Sequence, residues 1–84
     1  MYKVVWKNTA SKQLAKIDRA TAEKIVDKVE NYLVKDPTNR GERLLYDYKG
    51  LYRYRFSNYR VIYEVKEKEL IISVVKVGHR KEVY

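Results

Sequence analysis

Apolar and polar positions alternate with two different periods along the first 35 residues. Residues 2–6 (YKVVW) place apolar side chains at every second position, which predicts a short β-strand with one buried face. In residues 8–17 and about 20–35, apolar side chains instead recur every three or four positions, so each segment predicts an amphipathic helix. Asp36 and Pro37 end the second helix, because the residue before a proline avoids helical backbone angles.

The second half of the chain predicts strands. Residues 51–56, 59–65 and 70–77 are rich in Tyr, Val and Ile, and short polar turns separate them. Residues 43–50 are interpreted as an irregular connection and residues 78–84 as a tail. A strand, a two-helix hairpin and an antiparallel three-strand meander, in that order, predict an α+β fold: a four-stranded antiparallel sheet with both helices on one face.

The first two strands of the meander pair as a hairpin if Ser57 and Asn58 form its turn, since Asn tolerates positive φ. Arg55 then lies directly opposite Arg60. One face is aromatic and apolar and is predicted to lie under the helices: Tyr52, Tyr54, Phe56, Tyr59, Val61, Tyr63 and Val65. The other face receives Leu51, Arg53, Arg55, Arg60, Ile62 and Glu64. A slip by one residue would send the arginines into the core, so the pattern supports this register.

The opposed pair Arg55–Arg60 is unfavourable on its own, since like charges directly across a sheet repel by up to about 1 kcal/mol. A bound polyanion makes the arrangement favourable, because each guanidinium forms charge-assisted hydrogen bonds with phosphate. The pattern therefore favours an anion site. The alternative is neutralisation by surface ion pairs, which are cheap and common; the candidate carboxylates are those of Asp47, Glu64 and Glu82.

The net charge indicates more about possible partners than the overall composition does. The 84 residues, expected to form a single domain over 1–84, carry a net charge of +8, which suggests a nucleic acid or an acidic protein as partner. The chain has no cysteine, which excludes disulfides and cysteine-ligated zinc. No long apolar run is present at the N-terminus, so we expect a cytoplasmic protein with no membrane partner.

Two segments, YRVIYEV (59–65) and VGHRKEVY (77–84), resemble the RelE/ParE superfamily of small toxins from toxin–antitoxin pairs. The likeness is greatest to the RelE-type messenger-RNA interferases, and it covers nearly the whole chain. It implies a RelE-like fold and a ribosome-dependent endoribonuclease that inhibits translation. In such enzymes the 2′-hydroxyl of messenger RNA in the ribosomal A site attacks the adjacent phosphate, with neither metal ion nor cofactor.

The resemblance also implies a site. The family has two lysines on the first hairpin strand, an arginine opening the second, an arginine after the last glycine and a late tyrosine. The matching positions here are Arg53, Arg55, Arg60, Arg80 and Tyr84. We expect Tyr84 to stack on a base or contact phosphate, and Lys81, beside Arg80, to add an RNA contact.

Both family lysines are arginines here, and an arginine that stays protonated is a poor general base. His79 is the only histidine, and an unperturbed pKa of about 6.5 suits proton transfer. Some relatives use a late histidine together with a glutamate ahead of the hairpin, for which Glu42 is a weak match. The general base therefore stays open between these residues.

Three functions remain open on the sequence alone. The first is the endoribonuclease, which would act on ribosomes carrying messenger RNA and be restrained by an acidic, RelB-like antitoxin. The second is a ParE-like inhibitor of DNA gyrase, which binds a protein and cuts nothing itself. The third is a module that binds RNA or antitoxin but has lost activity, as the missing lysines would allow.

Overall fold

The computed structural model describes residues 2–44 and 50–79, which form one sheet with helices packed against it. The strands are β1 (Lys3–Trp6), β2 (Glu42–Arg43), β3 (Leu51–Phe56), β4 (Tyr59–Lys66) and β5 (Ile71–His79). The helices are α1 (Asn8–Ala15), α2 (Arg19–Asn31) and the single turn α3 (Pro37–Arg40), with a 3₁₀ turn at Leu33–Lys35. None of the described helices is long and apolar enough to cross a membrane.

The α+β architecture is confirmed, but the sheet is five-stranded and mixed, where the sequence predicted four antiparallel strands. Its order is β1-β5-β4-β3-β2. β1 runs parallel to β5, and the other neighbours are antiparallel. β2 has only two residues and so carries no period to detect, and the direction of β1 depends on the route that the helices take back across the sheet.

Local residues explain where α2 and α3 begin. The Asp18 carboxylate accepts a hydrogen bond from the Thr21 N–H at 3.0 Å, so α2 begins at Arg19. The second helix was predicted to run to about residue 35, but α2 ends at Asn31 and a 3₁₀ turn follows at Leu33–Lys35. Pro37 then begins the single turn α3, since proline is favoured at the first helical position, where no N–H is needed.

The core lies between the helices and one face of the sheet. The apolar stripe predicted for the second helix is buried at Ile25, Val29 and Leu33, against Val61 and Tyr63 of the hairpin. Tyr52 and Tyr54, which were predicted to be buried, are only partly covered. Their strand, β3, has only the two-residue β2 outside it, so this part of the sheet receives less cover.

The hairpin register is confirmed at every pair, including Arg55 opposite Arg60. In its turn the residue with positive φ is Ser57 (55°) and not Asn58. Two-residue hairpin turns of type II′ have positive φ at this first central position. The third strand of the meander was placed too early. Leu70 belongs to the turn before it, and Gly78 and His79, which were assigned to the tail, are paired in β5.

β2 is held in place by a buried contact behind it. The Tyr63 hydroxyl donates a hydrogen bond to the carbonyl oxygen of Pro37 at 2.7 Å, and burial raises the pKa of Tyr63. Gly41 lies against the Tyr63 ring, where a Cβ would overlap the hydroxyl. The absence of a side chain at Gly41 therefore lets the chain pass close to Tyr63 and positions the next residue, Glu42, at the sheet edge.

Candidate anion-binding site

The sheet face opposite the helices carries the three predicted arginines of the hairpin, Arg53, Arg55 and Arg60. We call it the arginine face; it also carries Glu42, which pairs with Arg53, and Glu64, which pairs with Leu51. Side chains alternate between the two faces of a strand, so the apolar residues between the arginines point to the helices. The predicted separation of arginines from core is therefore confirmed.

Glu42 bridges two of the arginines with one carboxylate. Its Oε2 lies 2.9 Å from Nη2 of Arg53, and its Oε1 lies 3.2 Å from Nε of Arg55. The hydrogen bond from Arg53, with the positive charges of Arg53, Arg55 and Arg60, holds the pKa of Glu42 below its usual range. Glu42 is thus an internal anion seated among the guanidinium groups.

Among the described residues the neutralising carboxylate is that of Glu42, which the sequence did not include among its three candidates. Glu64 makes no ion pair with the described residues, and Asp47 and Glu82 lie outside them. Glu42 was noticed only through a weak family match, because a two-residue strand gives no periodic signal. The sequence signal for Glu42 was the glycine directly before it, Gly41, which packs on Tyr63 in the structure.

Arg60 differs from its two neighbours in its ion pairs: it makes none with residues 2–44 or 50–79, whereas Arg53 and Arg55 both contact Glu42. Its Nε is one of two buried side-chain donors that lack a hydrogen-bond partner among those residues. An unsatisfied buried donor costs about 1–3 kcal/mol. With Arg55 directly across the strand pair and Glu42 already shared by Arg53 and Arg55, this end of the arginine face is left with an excess of donors.

His79 does not join the arginines. It pairs with Tyr59, and the two rings meet edge to face with centroids 5.7 Å apart, on the side of the sheet that the helices cover. The remaining predicted site residues, Arg80, Lys81 and Tyr84, lie outside the described residues.

A β-bulge decides the side on which His79 lies. Ile62 pairs with Lys76 but Tyr63 pairs with Val74, so Val75 is an extra residue in β5. One extra residue reverses the alternation of all positions beyond it. Val77 is accordingly buried in the core, and His79 follows it onto the same side.

The chemistry available on the arginine face is anion binding. Three guanidinium groups offer fixed forks of donors suited to phosphate oxygens, and Glu42 is the carboxylate in contact with them. Among residues 2–44 and 50–79, no three His, Asp or Glu side chains cluster closely enough to hold a metal ion.

Comparison with known proteins agrees with this fold. The model of the family described as the ParE toxin of the type II toxin–antitoxin system parDE matches residues 4–84. Toxin RelG of Mycobacterium tuberculosis is 24% identical to this chain over 83 residues, which are 99% of this chain and 95% of RelG.

Solved structures show the same architecture. The RelBE2 toxin–antitoxin complex of Mycobacterium tuberculosis matches with a TM-score of 0.89 and 24% identity, covering 94% of this chain and 98% of that one. The archaeal RelE–RelB complex of Pyrococcus horikoshii matches with a TM-score of 0.75 and 25% identity over 98% of both chains. The fold is therefore RelE-like, and the chain belongs to the ParE family of toxins of type II toxin–antitoxin systems, within the RelE/ParE superfamily.

Proposed function

We propose that this toxin is an endoribonuclease that cuts messenger RNA in the ribosomal A site, with the arginine face holding the scissile phosphate. The observation that carries the proposal is the buried Nε of Arg60, which has no partner in the described chain and lies directly opposite Arg55. A phosphate oxygen would satisfy that donor and turn the repulsion between the two arginines into shared binding.

The proposed reaction is an internal transesterification. The 2′-hydroxyl oxygen gives up its proton and forms a bond to the adjacent phosphorus, and the bond from phosphorus to the 5′-oxygen breaks. The leaving 5′-oxygen takes up a proton, returned by the group that accepted it or by water, so that a 2′,3′-cyclic phosphate and a 5′-hydroxyl result. Negative charge develops on the phosphoryl oxygens, and preorganised donors such as Arg53, Arg55 and Arg60 stabilise it. We propose that Arg80 adds a further donor and that Tyr84 stacks on a base or contacts phosphate, as the family likeness implies.

The reaction needs a group that accepts the 2′-hydroxyl proton, and the arginines cannot serve because they stay protonated. Of the two candidates, Glu42 contacts the arginines, whereas His79 lies on the other side of the sheet. In the free protein the arginines depress the pKa of Glu42. A bound phosphate competes for the same guanidinium groups, which raises that pKa again and suits Glu42 to act as the base.

This double role predicts that Glu42→Gln separates binding from cleavage. The variant removes the carboxylate that competes with phosphate, so RNA should bind up to about fivefold more tightly, as expected for loss of an exposed ion pair. Cleavage should nevertheless fall by about 10²-fold or more, because the proton acceptor is lost. Fluorescence anisotropy with an RNA blocked by a 2′-deoxy substitution measures the first effect, and single-turnover cleavage on programmed ribosomes measures the second.

Glu64→Gln is the matched control for that variant. It removes the same charge from the arginine face at a position that makes no described ion pair, so it should alter neither quantity by more than about twofold. Weaker RNA binding by Glu42→Gln, or unchanged cleavage, would refute the role of Glu42.

A ParE-like gyrase inhibitor is the second candidate, favoured by the family model that matches, which is that of ParE toxins. Controlled expression distinguishes the two by measuring translation, DNA breaks and messenger-RNA 5′ ends in the same cells. We expect translation to stop and new 5′ ends to map within translated codons. DNA breaks with intact messages would show gyrase inhibition instead, and the absence of any toxicity would show an inactive binding module.

We also propose an acidic antitoxin of the RelB type as the cognate partner. The net charge of +8 and the three guanidinium groups of the arginine face favour such a partner, and the solved relatives include complexes of toxin with antitoxin. Binding should be tight and should weaken with added salt, because complementary charges steer the association. Co-expression of the neighbouring reading frame should restore growth in the same expression experiment.

A further inference from the structure

A cleft lies on the helix side of the sheet, at the end where β4 begins and β5 ends. Two of its walls are aromatic rings, another is the lysine that directly follows α1, and an amide and aliphatic groups complete it. Its lining residues are Gln13, Lys16, Ile17, Tyr59, Val77, Gly78 and His79. The arginine mechanism uses none of these side chains.

The polar groups of the cleft are fixed in place. The Gln13 side-chain oxygen accepts a hydrogen bond from the Val77 N–H at 2.7 Å, which leaves the amide NH₂ as the end of Gln13 available for a ligand. The Tyr59 and His79 rings meet at an angle of 78°, so neither ring is stacked flat on the other. Lys16 is exposed and adds a positive charge.

The cleft and the arginine face share one end of the sheet. Tyr59 is followed by Arg60, and His79 is preceded by Gly78, which pairs with Arg60. Neighbouring residues in a strand point to opposite faces, so a molecule that reaches around this end meets Arg60 on one side and the two rings on the other. A single RNA strand has this reach, with phosphates and bases alternating along it.

We propose that this cleft binds the base of a ribonucleotide next to the scissile phosphate, which rests on the proposed action on RNA. Flat rings stack on the base, the Gln13 amide donates to its polar edge, and Lys16 contacts the 5′-phosphate of the same nucleotide. A simple anion would need only the lysine, and an aliphatic ligand would need neither the amide nor the charge. The mixture of these groups fits a heterocyclic base attached to a phosphate.

The test compares adenosine 5′-monophosphate with ribose 5-phosphate, which has the same sugar and phosphate but no base. Each is titrated into the isotope-labelled full chain and followed by NMR. We expect adenosine 5′-monophosphate to shift the amide signals of Val77 and Gly78 and the ring signals of Tyr59 and His79. Ribose 5-phosphate should leave these signals in place.

The variants His79→Ala and Lys16→Ala should each weaken binding of adenosine 5′-monophosphate about tenfold, as expected for loss of stacking or of a charged contact. Lys12→Ala, which removes an exposed lysine of α1 that does not line the cleft, should have no effect. Lys16 is exposed, so its variant reports on binding without disturbing the fold.

Equal shifts from the two compounds would overturn the proposal, and so would binding of adenosine 5′-monophosphate that neither variant weakens. The titration needs neither ribosomes nor cleavage. A failure of base binding therefore differs from a failure of the proposed nuclease, which would appear as unchanged messages in cells while the base still binds.

Discussion

Replacing Arg60 by alanine is expected to abolish messenger-RNA cleavage while the protein stays folded. Arg60 makes no ion pair with the described residues, and its buried Nε has no hydrogen-bond partner among them, so a phosphate oxygen would supply the missing acceptor. One preorganised donor of this kind is worth on the order of 3 kcal/mol in the transition state, which corresponds to a rate loss of about 10²-fold. Growth inhibition on expression should disappear with it.

The same substitution should change the melting temperature little. Alanine loses the packing of the arginine side chain, but it also removes an unsatisfied buried donor and the repulsion from Arg55. These effects oppose one another. Cleavage on programmed ribosomes and thermal unfolding should be measured on the same preparation. A catalytic role predicts a large loss of cleavage with little change in melting temperature, whereas a structural role predicts that both fall.

Lys66→Ala is the matched control, because it removes a cation from the same strand and the same face, near the opposite end of β4. It should retain nearly full cleavage. Full activity in Arg60→Ala, a product that ends in a 3′-hydroxyl, or a loss as large in Lys66→Ala would each contradict the proposed mechanism.

The second large effect is expected from Gly41→Ala, which should destabilise the whole fold. The new Cβ would overlap the Tyr63 hydroxyl and lie 3.1 Å from the backbone oxygen of Arg53. Tyr63 is fully buried and hydrogen-bonded to Pro37, so its ring has no room to yield. Overpacking costs about 1–3 kcal/mol, and loss of the buried hydrogen bond adds to it.

A loss of about 3 kcal/mol lowers the melting temperature of a domain of this size by about 10–20 °C. Thermal unfolding followed by circular dichroism measures it. Tyr63→Phe supplies the control through a double-mutant cycle. Phenylalanine has no hydroxyl for the new Cβ to overlap, so Gly41→Ala should cost clearly less in that background. A small effect of Gly41→Ala alone, or strictly additive effects, would show that the contact with Tyr63 does not require glycine.

The Gly41 contact also connects the core with the site. Gly41 is followed by Glu42, and the shift that relieves the overlap would move the Glu42 carboxylate away from Arg53 and Arg55. The fold and the arginine face therefore depend on one close approach of the chain to a buried tyrosine.

Local patterns alone determined the hairpin and its two faces. Strict alternation in residues 51–56 and 59–65 allowed one register that keeps the arginines out of the core, and the structure has that register. The apolar stripe of α2 was equally clear, because Ile25, Val29 and Leu33 recur with the helical period. The three hairpin arginines of the candidate site could be predicted for the same reason.

Only the tertiary structure decided the parts that depend on long-range contacts or on very short elements. β2 has two residues, and the glycine before it packs on the distant residue Tyr63, so the bridge from Glu42 to Arg53 and Arg55 had no local signal. The parallel pairing of β1 with β5 joins residues about seventy positions apart, as in Lys3 with Ile71, and follows from how the helices cross the sheet.

The position of His79 shows how small the deciding feature can be. Without the extra residue Val75, strict alternation along β5 would place His79 on the arginine face, where a proton acceptor could reach the phosphate. The bulge reverses that alternation and moves His79 to the cleft beside Tyr59. A bulge arises from how two strands fit each other and the core, so the sequence of one strand does not reveal it.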